Sequence, residues 1–330
     1  MTHLSGKSCA DKANKRRAVA RAGAHSVSGP CCPMNLATRY LGLPLHSPFV
    51  VGASPLCDDA HLARQLQDAG AGAVVMRSLF EEQLEPPPAA SGDLGPGFPE
   101  YADYQCSPDQ YLTQLDLLKE QLTIPVIASL NGHQPGAWTE FAARLERAGA
   151  DAIELNFYQV VTDPAIAADQ VETEMLRTVA EVANAVHIPV AVKLSPFHSS
   201  VTQLAIALEL AGAAGIVIFN RFFQPDVDPD TLEVRPVLHM SEPSELLLRL
   251  RWLAILSPQV RGSLAVSGGV HSPLDAVKAL LTGAHAVQVV SVLLRHGPPV
   301  LRTLLQGLEI WMQEQGFAEL EDFRGRLNLA

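Results

Sequence analysis

The chain has 330 residues, 48 % apolar and 18 % charged, with no long low-complexity tract, which excludes a mostly disordered, collagen-like or coiled-coil protein. That length admits two ordinary domains or one α/β barrel of roughly 250 residues. Net charge is −11, and because residues 1–33 are basic the body is more acidic still, which argues against nucleic acid or an anionic membrane as the main partner.

Residues 1–33 hold Lys7, Lys12, Lys15, Arg16, Arg17 and Arg21 against Asp11 alone. They lack the apolar run of ~7–15 residues that a secretory signal needs. The expectation is a disordered basic tail, or an upstream stretch that is not translated, with Met34 the start. The five cysteines (Cys9, Cys31, Cys32, Cys57 and Cys106) are odd in number and form no C-x-x-C pair. That argues against a disulfide framework, an iron–sulfur cluster or a zinc knuckle, and points to a reducing, cytoplasmic setting.

From residue 34 onward a repeat organises the chain. Gly70-Ala71, Gly149-Ala150, Gly212-Ala213 and Gly283-Ala284 each close a helical pattern and open an apolar run. Glycine suits the left-handed position that ends a helix. Runs follow at 73–76, 152–155, 215–219 and 286–290. Between them, Ile124-Pro125-Val126 and Ile188-Pro189-Val190 open runs at 126–130 and 190–194, where a proline at the strand start sacrifices no ladder donor. Runs at 48–54 and 263–267 complete eight strands, apolar throughout, as helix-covered parallel strands are. The intervening helices show a 3.6 period, for example Leu301, Leu304, Leu305, Leu308 and Met312. Residues 34–330 therefore read as an α/β chain forming a single TIM (β/α)8 barrel, with its active site at the C-terminal strand ends. A doubly wound sheet is the rival and does not explain the two-unit spacing. The apolar stretch 204–219 carries two glycines at its middle and reads as helix, turn and strand, not as a membrane span. Two long connections leave the catalytic face, 80–108 and 222–243. Long loops there are usually lids or substrate walls.

Along the predicted rim stand Ala53-Ser54, Arg77-Ser78, Asn131-Gly132, Asn156, Lys193, Asn220, Gly268-Gly269 and Ser291. Three asparagines and a lysine ending apolar strands favour a polar ligand, because burying such groups unpaired costs several kcal/mol. The sharpest local motif is Ser267-Gly268-Gly269-Val270-His271-Ser272-Pro273-Leu274-Asp275. Ser272 suits the N-cap, Pro273 the first turn and Asp275 a capping box. A glycine turn ahead of a helix start after the seventh strand is where barrels bind phosphate, and Ser291 at the end of the eighth adds a hydroxyl. No dinucleotide fingerprint, Walker A sequence or H-x-x-x-H spacing occurs. Glu81, Glu82 and Glu85 read as a solvated loop edge.

From Met34 to the C-terminal helix the chain resembles the dihydroorotate dehydrogenase family of FMN-containing barrels, and its "dihydroorotate dehydrogenase-like" branch in particular. The resemblance rests on Tyr40-Leu41-Gly42-Leu43, Gly52-Ala53-Ser54-Pro55, residues 151–156, Val192-Lys193-Leu194-Ser195-Pro196, Phe219-Asn220-Arg221-Phe222 and the Gly-Gly motif with Val287-Gln288-Val289. It implies that Ala53 and Ser54 face the flavin and that Asn131 and Asn156 bond flavin or substrate. It sets Lys193 against the N1/O2 side of the ring, Asn220 against the substrate, and Gly268, Gly269 and Ser291 on the FMN phosphate. It further implies a small-molecule substrate, a homodimer and a place in pyrimidine biosynthesis. Departures fall mainly on the substrate half. Gln159 stands where the family has the Cys or Ser base, three residues after Asn156. Arg77 replaces a flavin-proximal lysine, Phe80-Glu81-Glu82-Gln83 replaces an Asn-rich loop, and Val290-Ser291 replaces Gly-Thr.

Three functions follow. The first is an FMN oxidoreductase acting on a CH–CH bond by hydride transfer to flavin N5, its base sought among Cys57, Cys106, Tyr158 and His133. The second is an FMN-binding barrel, or accessory subunit with a redox partner protein, without dihydroorotate turnover. The third is a non-flavin, phosphate-binding lyase with Lys193 as a Schiff base. Colour separates the third from the others, and bleaching by dihydroorotate separates the first from the second.

Overall fold

The computed structural model describes residues 34–80, 106–132, 137–157, 160–221, 225–235 and 239–329. The basic tail, residues 81–105, and His133, Tyr158, Gln159 and Phe222 lie outside these. No helix among the described residues is long and apolar enough to cross a membrane.

The first element is an antiparallel hairpin that the eight-strand reading does not include, β1 (Thr38–Tyr40) with β2 (Leu43–Leu45). Its two turn residues, Leu41 and Gly42, have φ of 54° and 77°. Positive φ at both positions suits the strand twist of a two-residue hairpin. The barrel itself comprises β3 (Phe49–Val51), β4 (Ala73–Val75) with its short continuation β5 (Leu79–Phe80), β6 (Val126–Asn131), β7 (Ala152–Asn156), β8 (Val190–Leu194) and β9 (Gly215–Ile218). After an outlying hairpin, β10 (Asp226–Asp228) and β11 (Glu233–Arg235), it closes with β12 (Ser263–Ser267) and β13 (Ala286–Val289). All barrel pairings are parallel and run in chain order, with β13 returning to β3. Helices alternate with the strands, and the predicted apolar stripes face inward: Leu66, Leu145, Leu280 and Leu308 are all fully buried. The four helix-ending glycines have φ between 90° and 113°, a conformation that side chains disfavour.

Two apolar layers result. The larger lies between strands and helices. The smaller fills the lower barrel, where Tyr40, Leu41 and Leu45 of the hairpin pack on Val50, Ala73, Ile127, Ala152, Ala191, Val217, Ala265 and Ala286. The alanines there are small because the hairpin's large side chains fill that end. Gly215 is held to the same rule, since a Cβ would meet Leu41 Cδ2 at 2.6 Å. The N-terminal end is thereby plugged, leaving the C-terminal end as the mouth.

The strands are not apolar throughout, as the sequence reading expects. Ser129, Glu154, Lys193 and Gln288 are buried at positions that alternate with the outward-facing aliphatics. A second difference is a bulge. Val75 pairs with Ile127 and Leu79 with Leu130, so residues 76–78 oppose only residues 128–129. One extra residue re-aims side chains locally. Thirdly, the connection after β9 contains the β10–β11 hairpin.

His285 braces the plugged end. Leu264 N–H donates to its Nδ1 at 3.1 Å, and Thr38 Oγ1 donates to its carbonyl at 3.1 Å. Burial, and then the Arg324 charge, push the imidazole down to about 4. The folded chain therefore keeps His285 neutral where the unfolded chain takes up a proton near the ordinary value of ~6.5. The associated stability is full above about 6.5 and is lost as pH falls towards about 4, on the order of 2–3 kcal/mol. Urea unfolding at pH 7 and pH 4.5 should show a smaller acid loss for His285→Gln than for the wild type. Equal losses would remove His285 from the acid response.

Candidate active site

The mouth is built on a buried charged layer. Lys193 on β8 is 5 % exposed, and Glu154 on β7 and Gln288 on β13 are each 1 % exposed. Lys193 Nζ donates to Gln288 Oε1 at 3.0 Å and lies 3.3 Å from Glu154 Oε1. Gln288 Nε2 donates to the other carboxylate oxygen, Oε2 of Glu154. The three side chains close a ring across the barrel. A buried ammonium left unpaired would cost several kcal/mol, so the carboxylate and amide make its burial tenable.

At the strand ends, Asn131, Asn156 and Lys193 are neighbours in register across β6, β7 and β8. Asn156 Nδ2 donates to Ser78 Oγ at 3.0 Å and to Ser129 Oγ at 2.8 Å. The two hydroxyls are themselves 2.8 Å apart. Tyr111 locks this group from behind, accepting from Ser129 N–H at 2.8 Å and donating to its carbonyl at 3.1 Å. Asn156 Oδ1 is buried and has no hydrogen-bond partner among the described residues. An orphaned buried acceptor costs about 1–3 kcal/mol and calls for a donor beyond the described residues, as a bound ligand would supply.

The Gly-Gly turn follows β12. Gly268 and Gly269 have φ of 90° and 82°. A Cβ on Gly269 would stand 2.7 Å from the Leu246 nitrogen, and one on Gly268 would stand 3.0 Å from the Arg249 guanidinium. Helix Pro273–Leu281 begins directly afterwards, with the predicted capping box between Ser272 and Asp275. Asp275 also accepts from the His271 and Ser272 N–H groups, and its carboxyl lies below the usual range because these bonds outweigh its burial. Gly269 N–H and the Ser291 hydroxyl both meet the Ser241 hydroxyl, at 3.2 and 2.9 Å. Arg249, buried against Gly268, donates to the Ser267 carbonyl and pairs with Glu245. Backbone N–H, hydroxyls and a guanidinium thus gather at one side of the mouth.

Other predicted residues are placed differently. Ser54 is buried, its hydroxyl donating to the Gly52 carbonyl at 2.9 Å, and Ala53 beside it is half-buried. The side-chain oxygen Oδ1 of Asn220 accepts from Arg221 N–H at 2.9 Å, a local loop cap. Arg77, at the bulge, is half exposed and paired with Asp58, away from the charged layer. Among the base candidates, Cys57 is buried and its thiol is pushed up to about 12 by desolvation, then by Asp58. Burial raises Cys106 as well. Both therefore stay protonated at neutral pH. His133, Tyr158 and Gln159 lie outside the described residues.

The sequence reading misses Ser129, Tyr111, Glu154, Gln288, Ser241 and Arg249. Three of them carry a usable signal: Ser129, Glu154 and Gln288 are polar residues on predicted strands at two-residue offsets from Asn131, Asn156 and Val290. Tyr111, Ser241 and Arg249 carry none in the sequence.

No family model matches the chain. It is 30 % identical over 316 residues to the "Putative dihydroorotate dehydrogenase A (fumarate)" of Aeropyrum pernix, covering 88 % of this chain and 96 % of that protein. It is 28 % identical to "Dihydroorotate dehydrogenase B (NAD(+)), catalytic subunit" of Methanothermobacter thermautotrophicus, over 88 % of this chain and 97 % of that one. It is 25 % identical to "NAD-dependent dihydropyrimidine dehydrogenase subunit PreA" of Escherichia coli, over 89 % of this chain and 77 % of that protein.

Proposed function

This chain belongs to the dihydroorotate dehydrogenase family, and from that premise we propose that it is an FMN-dependent oxidoreductase acting on a CH–CH bond of a small ring related to dihydroorotate. One observation carries the reading: Asn156 Oδ1 is a buried acceptor without a donor among the described residues, and it stands in register beside a buried ammonium. A polar ring ligand supplies the donor, and the ammonium suits a ligand that gains negative charge on reduction.

The residues present fit a flavin mononucleotide. Gly268, Gly269 and Ser291 would hold its phosphate, supported by Arg249 behind the turn. Lys193, Asn156 and Asn131 would meet the ring, with Ala53 and Ser54 beside it. When bound, the flavin supplies a hydride acceptor. The chain's own task is then to bind and orient the substrate, exclude water, and take the proton from the carbon next to the one losing hydride. Asn220 and Arg77 are assigned to the substrate side. Cys57 and Cys106 hold their own protons, which leaves His133 and Tyr158 as the candidates for the base. Because relatives carry the words "subunit" and "catalytic subunit" in their names, we assign the electrons to a redox partner protein. We place the chain in the cytoplasm and expect it to pair as a homodimer.

Anaerobic titration of the FMN-loaded protein with a panel of dihydropyrimidines tests the reading. At least one should bleach the flavin absorbance, with one ring compound oxidised per flavin. A protein that retains no FMN, and whose Lys193 is instead trapped by borohydride with a carbonyl compound, would establish the lyase reading in its place.

A further inference from the structure

We propose that Glu154 is a fixed countercharge to Lys193 and sets how strongly this site prefers a reduced, negatively charged flavin over the oxidised one. This rests on the flavin reading above, and it concerns residues to which neither the sequence motifs nor the relatives give a role.

The geometry supports it in three ways. First, both carboxylate oxygens of Glu154 are engaged, one by Lys193 Nζ at 3.3 Å and the other by Gln288 Nε2. The amide of Gln288 is fixed in turn, because its oxygen accepts from Lys193 at 3.0 Å. Neither charge is free to swing away from the other. Second, register sets the order along the barrel. Lys193 pairs with Asn156 at the mouth, whereas Glu154 pairs with Ala191, one layer deeper. The backbone that carries the carboxylate thus lies on the plugged side of the lysine. An isolated ammonium acts at the mouth with its whole charge, but one backed by a carboxylate acts as the positive end of a dipole, whose field falls off faster. Third, among the described residues no donor bonds to Glu154 from the plugged side. The Tyr40 hydroxyl beneath is fully buried and unpartnered among the described residues, and it stays protonated through burial and, after that, the negative field of Glu154. The carboxylate is therefore engaged by Lys193, whose backbone lies on the mouth side, and by Gln288. Glu154 is a positioning residue that acts through Lys193.

The test is the flavin midpoint potential of the FMN-loaded protein, measured by spectroelectrochemistry, with oxidised FMN affinity as a check on folding. Glu154→Gln should favour reduced over oxidised flavin at least tenfold more than the wild type, an upward shift of about 30 mV for a two-electron couple. Glu154→Asp keeps the charge and should stay near the wild-type value. Gln288→Glu adds a second carboxylate and should shift the potential downward by a similar amount; it decides the matter if Glu154→Gln does not fold. Unchanged potentials in Glu154→Gln and Gln288→Glu, with FMN bound, would overturn the countercharge. A wild-type protein that binds no FMN would instead overturn the flavin reading itself, and the two failures are told apart by colour.

Discussion

Ser291→Asp is expected to weaken FMN binding about a thousandfold while leaving riboflavin binding within a few fold of the wild type. The Ser291 hydroxyl meets the Ser241 hydroxyl at 2.9 Å, and Ser241 meets the Gly269 N–H at 3.2 Å. A carboxylate placed there shares the cradle with the phosphate. Two like unit charges about 4 Å apart repel by about 4 kcal/mol at an effective dielectric of 20. That is roughly a thousandfold in affinity, since every 1.4 kcal/mol is about tenfold. Riboflavin has no phosphate and escapes the penalty, so the ratio of the two affinities isolates the cradle from any general damage. Gly269→Glu is a weaker experiment. With φ at 82° and Leu246 N at 2.7 Å from any Cβ, it strains the backbone before charge plays a part. Ser291 lies in the first turn of helix Ser291–His296, where an aspartate is tolerated. Fluorescence titration with both flavins settles the assignment. An equal loss for both, or for neither, moves the phosphate elsewhere.

What the sequence discloses about this fold, and what it hides, follows from the range of the interactions involved. The Gly-Ala pairs announce helix ends because a left-handed residue is a local demand, and all four glycines adopt that conformation. Asn131, Asn156 and Lys193 are visible as polar residues ending apolar runs, and strand pairing then brings them into register. The Glu154–Gln288 contact joins residues 134 apart in the chain, and the Lys193–Gln288 contact joins residues 95 apart. Those contacts exist only once the barrel closes, so no local pattern announces them. Arg77 is a subtler case. Its position after the second strand is legible, but one extra residue at the bulge turns its side chain towards Asp58 while Ser78 takes the inward place beside Ser129 and Asn156. The β10–β11 hairpin is exposed and acidic, and it carries no buried face for a periodic pattern to record.

Dihydroorotate itself is expected to reduce the flavin of this protein slowly, by a factor of about 10²–10⁴ relative to a family member that carries Cys or Ser three residues after the strand-end asparagine. That factor is what general-base assistance is typically worth. Here the position is Gln159, whose amide has no site that takes up a proton at neutral pH. The two cysteines named as substitutes do not repair the loss. Cys57 is buried, with its thiol pushed up to about 12, and burial raises Cys106 too, so each is a thiol and not a thiolate at pH 7. On the proposed flavin reading the Lys193–Glu154–Gln288 ring and the Asn156 acceptor serve the hydride-accepting half, so the expected defect is confined to proton removal. This predicts a specific pattern in anaerobic stopped-flow reduction. The wild type should bind dihydroorotate yet reduce slowly, and Gln159→Cys should raise the reduction rate at high substrate by at least tenfold, with little change in the concentration needed for half-maximal rate. Raising the pH should accelerate Gln159→Cys further, because a cysteine with an ordinary pKa of about 8.5 gains thiolate across that range, whereas the amide of Gln159 gains no such base. Wild-type reduction as fast as that of a Cys- or Ser-bearing relative would overturn the prediction and make His133 or Tyr158 a base as effective as the missing Cys or Ser, which separate substitutions of the two would then distinguish.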